Sequence, residues 1–409
     1  MLFNHSLMKK FALKPISLFL IFYIFFMSLQ QLSAQQNRKK TISYTKNDVA
    51  KVVDYIHKTY KDDYTSLPSN QTLDWQKACV SMMYVHAYEV LGDKKYLKWA
   101  EEAVYVAFDF SDDQCWGANA ILELSKHNIQ VNPKSYAHYE DGKVYNEEYS
   151  YKNIFDKTLT TPVGTAADPY FGFLDNSKTG FGGIFWNKQN QAYHSCTMGQ
   201  AIVLAYLIPE KTINGKSPKD FASRWMSIQT KYLIDEKTGK VYDSYSVSSN
   251  KQNSGDYTYN YGTTLAALGL AWNKDQERQL TVGTAADAVV NYIMTKMTDN
   301  YGVLYNPNAV DLSKDSIAFN GIFMHYTPYY LFSEIPSDCK NAMKKYINNC
   351  ALVVWDQIKK NSNKEKNNYS ISYSWGKPYD KNTTNCMTTV SGVECLLTAI
   401  QIKENKSPY

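Results

Sequence analysis

Apolar residues along this chain fall into two kinds of segment that take turns. In residues 75–90, 114–124, 195–208, 261–272 and 388–400 the side chains are apolar or small nearly all the way round a helical turn. A helix with no polar face must be buried on every side. Residues 47–60, 94–108, 218–233, 277–297 and 337–360 carry a single apolar stripe at helical spacing, as in a helix that covers a core and faces water. Outer and inner segments alternate, which predicts an all-α fold, a toroid of helical hairpins whose parallel inner helices share one mouth at their N-termini. Residues 321–331 supply the sixth inner helix, interrupted by Pro328, which lacks the N–H that a helix interior uses.

A shorter repeat marks the rim. Gly-x-aliphatic-aromatic recurs as Gly142-Lys143-Val144-Tyr145, Gly183-Ile184-Phe185-Trp186, Gly239-Lys240-Val241-Tyr242 and Gly302-Val303-Leu304-Tyr305. Spacing near 60 residues suits one helical hairpin plus its loops better than a standard solenoid unit, so these read as short extended turns. Residues 127–180 have little periodicity and many Tyr, Asn, Asp and Gly; a loop this long at a mouth is usually functional. Residues 361–368 read as a solvated loop, and no linker divides the chain.

The N-terminus changes the picture. Lys9, Lys10 and Lys14 precede or open an apolar run over residues 15–29, followed by Leu32-Ser33-Ala34. That pattern predicts a signal peptide over residues 1–34, a secreted or periplasmic protein, and a single domain over residues 35–409. No cysteine near the cleavage point suggests a lipid anchor. Losing three lysines lowers the net charge from +5 to +2, too weak to point to nucleic acid or an anionic membrane surface. No later segment is long and apolar enough to span a membrane. The seven cysteines are Cys79, Cys115, Cys196, Cys339, Cys350, Cys386 and Cys395. Their odd number and spacing match neither a disulfide framework nor a zinc motif, so most read as buried thiols. The seven histidines are scattered with no His-Glu-x-x-His, and no Gly-rich phosphate loop is present. No metal and no cofactor is expected, and the chain is expected to act as a monomer.

Against that background Asp112-Asp113 stands out, at the start of an inner helix. Asp is a favoured helix N-cap, which is the plain reading. Two carboxylates this close cannot both ionise freely, so they also suit a reaction that needs one acid and one base. Adjacent Cα atoms lie about 3.8 Å apart, and at a helix start the carboxyls can diverge to the roughly 5 Å that retaining glycosidases use. His194-Ser195, Tyr259-Asn260 and Asn320-Gly321 also precede or open inner helices and should meet the pair at the mouth.

Asp112-Asp113-Gln114-Cys115-Trp116 resembles the Asp-Asp-x-x-Trp-Trp signature of glycoside hydrolase family 76, the α-1,6-mannanase family, built as an (α/α)6 toroid. Gly182-Gly183-Ile184-Phe185-Trp186-Asn187, Val241-Tyr242-Asp243, Thr258-Tyr259-Asn260-Tyr261-Gly262 and Phe319-Asn320-Gly321-Ile322-Phe323 are similar to its later motifs, in the same order. The resemblance implies a retaining hydrolase of α-1,6-linked mannan or a related α-mannoside, endo-acting, with Asp112 as nucleophile and Asp113 as acid/base. It also implies a polysaccharide or oligosaccharide partner. Trp116, Phe185, Trp186 and Tyr259 are candidates to stack on sugar faces, with core packing as the alternative for each. Asp243 is a candidate hydrogen-bond partner of a sugar hydroxyl, or a turn residue, and Asn187 and Asn260 join the same set. Gly117 replaces the signature's second Trp, Tyr193-His194-Ser195-Cys196 replaces Tyr-Lys-Asn-Ala, Tyr261 replaces Gln, and His325 falls where Arg is common. His194 and His325 are therefore candidate contacts, although neither sits in a recognisable His motif and a structural role is the commoner reading for such a histidine. Alternatives are a toroidal glycosidase of other sugar specificity, or a weakly catalytic glycan-binding protein on the same scaffold.

Overall fold

The six segments without a polar face form a closed ring. In this computed structural model they are α2 (Gln76–Leu91), α4 (Ser111–Lys126), α5 (Ser195–Leu207), α7 (Thr258–Lys274), α9 (Phe319–Leu331) and α11 (Cys386–Lys403). Each packs against the next, and α11 packs back against α2. The outer helices are α1 (Lys46–Thr65), α3 (Lys95–Ala103), α6 (Pro218–Ile228), α8 (Gln279–Lys296) and α10 (Cys339–Lys364). They cover the ring from outside: α1 lies on α11 and α2, α3 on α2 and α4, α6 on α5 and α7, α8 on α7, and α10 on α9 and α11. The architecture is an (α/α)6 toroid. The described residues are 43–66, 73–105, 111–129, 137–140, 143–146, 173–176, 181–186, 192–208, 217–307 and 315–409. Residues Tyr44–Tyr409 form one compact unit. The expected signal peptide, Asn187, Gly142 and most of 127–180 lie outside the described residues.

Sequence explains how closely the ring packs. A Cβ on Gly262 of α7 would lie 2.5 Å from the Phe323 Cα of α9, and one on Gly269 would lie 2.6 Å from the Tyr329 carbonyl oxygen. Only glycine lets these two backbones approach so far. Pro328 sits inside α9 without ending it. The missing N–H leaves the Met324 carbonyl without its helical donor, and Thr398 Oγ of α11 donates to that oxygen at 3.0 Å. A neighbouring hydroxyl thus replaces the lost bond, which is why the sixth inner helix survives its proline.

The rim turns are extended, as the repeat predicts. Val241 bridges to Ile234, Leu304 bridges to Thr298, and Ser372 bridges to Thr384. Gly239 takes a φ of +77°, and a Cβ there would lie 1.8 Å from the Ala288 carbonyl oxygen. Gly183 differs: it lies inside a strand. The all-helical expectation omitted short β elements. Among the described residues they are the hairpin β1 (Ala137–Glu140) with β2 (Lys143–Asn146), and the hairpin β3 (Phe173–Asn176) with β4 (Phe181–Ile184). An antiparallel sheet of β5 (Ala192–His194), β6 (Ser244–Ser246) and β7 (Lys251–Asn253) completes them. Strands of three or four residues are too short to show a period in the sequence. The sheet pairs His194 with Ser244 and so ties the start of α5 to the rim. All seven cysteines are free and all but Cys339 are buried, matching the thiol reading. No helix among the described residues is long and apolar enough to cross a membrane.

Candidate active site

Backbone bonds at the mouth set the site. Ser111 N donates to the Trp186 carbonyl at 3.0 Å, and Trp186 N donates to the Ala192 carbonyl at 3.1 Å. The segment after β4 is therefore stitched to the first turn of α4, where Asp112 and Asp113 lie. Ser195 N, at the start of α5, donates to the Asp243 carbonyl at 3.0 Å.

Asp112 is half-buried and Asp113 is buried. The Cys196 thiol, in the first turn of α5, donates to Asp112 Oδ2 at 3.7 Å, and the Trp186 side chain donates to the same carboxylate. Asp112 Oδ1 is buried and has no hydrogen-bond partner among the described residues. Burial pushes the Asp112 carboxyl up to about 6, against the opposing pull of the helix-start N–H groups, Cys196 and Trp186. Tyr259, in the first turn of α7, bonds through its phenol to Cys196 and is held well above the usual tyrosine range by burial. A chain of donors thus runs from phenol to thiol to carboxylate. The Tyr259 ring stacks on Phe319 at 3.9 Å.

Asp243 is buried. Its Oδ1 accepts from Asn260 Nδ2 at 3.1 Å and its Oδ2 from Asn253 Nδ2 at 3.3 Å. Burial raises its carboxyl while Asn260 opposes that rise. With its main chain holding Ser195, Asp243 clamps the starts of α5 and α7 together. His194 stacks on Trp186 at 4.9 Å. Burial pulls its imidazole down to about 4, so it is neutral at physiological pH. Asn320 accepts from Thr258 Oγ at 3.0 Å. The helix starts singled out in the sequence do converge.

Other candidates do not reach the mouth. Trp116 and Phe185 are each 1% exposed. Trp116 stacks on Trp75, and Phe185 on Tyr193. Both take the core alternative, so neither shows a face to a sugar. Tyr261 is buried too, its phenol 2.7 Å from Asp256 Oδ1. His325 lies deeper in the ring, with Nδ1 3.1 Å from Glu394 Oε1 and Nε2 2.9 Å from Glu123 Oε1. Burial pulls its imidazole down, but the two carboxylates more than offset this and hold it well above the ordinary histidine range. Sequence reasoning named Cys196 only as a departure and missed Asn253, Glu123, His86 and Glu394. For the last three there was a signal: each is a titratable residue inside an otherwise apolar inner segment. A hollow of about 930 Å³ lies at the far end of the ring, between Glu89, Lys126, His127 and Tyr409, and holds none of the mouth residues.

A toroid with an acidic pair at its mouth, faced by indole, phenol and amide groups, suits carbohydrate chemistry. The profile described as Glycosyl hydrolase family 76 matches residues 174–409. The chain belongs to that family and is a glycoside hydrolase. Asp112 and Asp113 lie N-terminal to the matched stretch. No curated protein matches the chain by sequence. Among solved structures, the GH76A α-1,6-mannanase of Salegentibacter sp. HEL1_6 is similar at 17% identity and TM-score 0.65, over 87% of this chain and 98% of that one. An inactive variant of that enzyme, with two adjacent aspartates changed to asparagine, was solved with α-1,6-mannotriose; it is 16% identical, TM-score 0.65, with the same coverage. Dfg5 from Chaetomium thermophilum, solved with glucosamine, is 14% identical at TM-score 0.64, over 89% and 91%.

Proposed function

We propose that this protein is an exported, retaining, endo-acting hydrolase of α-1,6-linked mannan, with Asp112 as nucleophile and Asp113 as acid/base. The observation that carries this is the state of Asp112. One of its oxygens is held by Cys196 and Trp186 and the other has no partner among the described residues. The Asp112 carboxylate attacks the anomeric carbon as the glycosidic C–O bond breaks, and Asp113 gives its proton to the departing sugar oxygen. A water then attacks the same carbon, Asp113 takes its proton, and the Asp112–sugar bond breaks. The α4 dipole favours the ionised nucleophile. Trp186 and Tyr259, both half-buried, offer ring faces to a sugar, and neutral His194 keeps Trp186 in place.

Support for the sugar comes from the family and from the mannanase of similar fold. Export rests on the basic and apolar pattern of residues 1–34. The test is product analysis on α-1,6-mannan beside a panel of other polysaccharides. Internal mannooligosaccharides released by the wild type with retained anomeric configuration, and none by Asp112→Asn, are expected. Cleavage by Asp112→Asn at the wild-type rate would remove the pair from the mechanism. Activity only on another polymer would keep the mechanism and change the sugar.

A further inference from the structure

Polar and ionisable side chains cross the middle of the ring, and hydrolysis at the mouth uses none of them. His86 comes from α2, Glu123 from α4, His325 from α9, and Glu394 and Gln401 from α11. His86 Nε2 lies 3.2 Å from Gln401 Oε1 and its Nδ1 lies 2.7 Å from Glu394 Oε2. His325 Nε2 lies 2.9 Å from Glu123 Oε1 and its Nδ1 lies 3.1 Å from Glu394 Oε1. The two rings are used in the same way. Each Nε2 faces an oxygen acceptor, which fixes the ring proton there, and each Nδ1 faces one oxygen of the same carboxylate.

A bare Nδ1 lone pair against a carboxylate oxygen is repulsive unless positive charge lies between them. A proton on each ring or a single divalent cation can supply that charge and offset the buried carboxylates Glu123 and Glu394. Imidazoles that bind a metal through one nitrogen usually donate the other N–H to a carboxylate or carbonyl that orients the ring, and Glu123 and Gln401 stand where such partners belong. Ligand atoms from His86, His325 and Glu394 all lie within 4.8 Å of one another. A cavity of about 10 Å³ touches His325 and Glu394 but not His86, and is otherwise lined mostly by apolar groups; it has room for one water beside two of the three ligands. Glu123 Oε2 is buried with no partner among the described residues, so one acceptor beside the cluster is still open.

We propose that His86, His325 and Glu394 bind one divalent transition-metal ion, zinc being the ion that two imidazoles and a carboxylate in four-coordination favour. Glu123 and Gln401 position the two rings. The ion fastens α2, α9 and α11, whose ligands are up to 308 residues apart in the chain. No short ligand spacing marks the site, because it is assembled from three helices; only the titratable residues inside apolar inner segments hint at it.

The test uses untagged full-length protein, stripped with chelator and returned to metal-free buffer, with binding and stability as readouts independent of any sugar. Zinc is expected to bind at one ion per chain and to raise Tm by about 5 °C at saturation. Cobalt(II) in its place should give the visible absorption of four-coordinate nitrogen and oxygen ligands. His86→Gln should abolish stoichiometric binding, and Glu123→Gln should weaken it by about 10–100-fold. If a variant does not fold, the cobalt spectrum of the wild type decides. No zinc retained at one equivalent with Tm unchanged would overturn the proposal and leave protons on both rings as the source of charge. Binding that persists unchanged in folded His86→Gln, or a cobalt spectrum dominated by thiolate, would overturn it too.

Discussion

The mouth and the middle of the ring treat buried carboxylates in opposite ways. At the mouth, Asp112 has one oxygen without a partner, and burial pushes it up to about 6. In the middle, burial would raise Glu394 as well. There the His325 and His86 imidazoles take both of its oxygens and hold it down at about 2. Desolvation is the common factor, and the partner decides the sign. An acid without matching charge stays reactive, whereas a matched one becomes part of the scaffold.

Asp112→Asn tests one side of that contrast most strongly. Turnover on a confirmed substrate should fall on the order of 10⁴- to 10⁶-fold, as when other nucleophiles are removed. Stability should change by no more than about 1 kcal/mol, because one helix-start charge is lost; paired assays of hydrolysis and thermal unfolding check both. Glu394→Ala is the mirror image. It strips the imidazoles of their counter-charge and should cost about 3–5 kcal/mol in denaturant unfolding, while activity per folded molecule stays within a few-fold. A large stability loss in the first variant, or none in the second, would break the comparison.

A pH profile sharpens it. Asp112 must be ionised to attack, and its proton is lost only above about 6. Hence kcat/KM should fall as pH drops through about 6, approaching tenfold per unit on the acid side. A flat profile from pH 7 to 4 would mean that Asp112 is not the group being titrated. The smallest expected effect belongs to the donors. Cys196 and Trp186 both stabilise the charged form, so Cys196→Ala or Trp186→Phe should move that acid midpoint upward by less than about one unit. A downward shift would contradict the hydrogen bonds described above.

Much of the scaffold was legible because inner helices have no polar face, a property visible in a single sequence. Even α9 could be found, although only Thr398 explains why Pro328 does not break it. At the site, residues that open inner helices were readable from position: Asp112, His194, Tyr259 and Asn260 do meet at the mouth. Trp116 was not, because an all-apolar helix gives no clue to which side meets solvent. The charge network was hidden for another reason. Its bonds join residues 202, 69 and 308 positions apart, and no local pattern encodes such pairings.

Closure of the ring also dictates an order of events. Its last seam joins α2 to α11, so the first inner helix made waits for the final stretch, Cys386–Lys403. Until then the partial ring has two open, largely apolar flanks, and His86 lacks Glu394 and Gln401. Long-range closure of this kind makes for slow folding. A chain stopped a few residues short of Cys386 would lose the partner of two inner helices at once, and should aggregate rather than persist as a smaller ring.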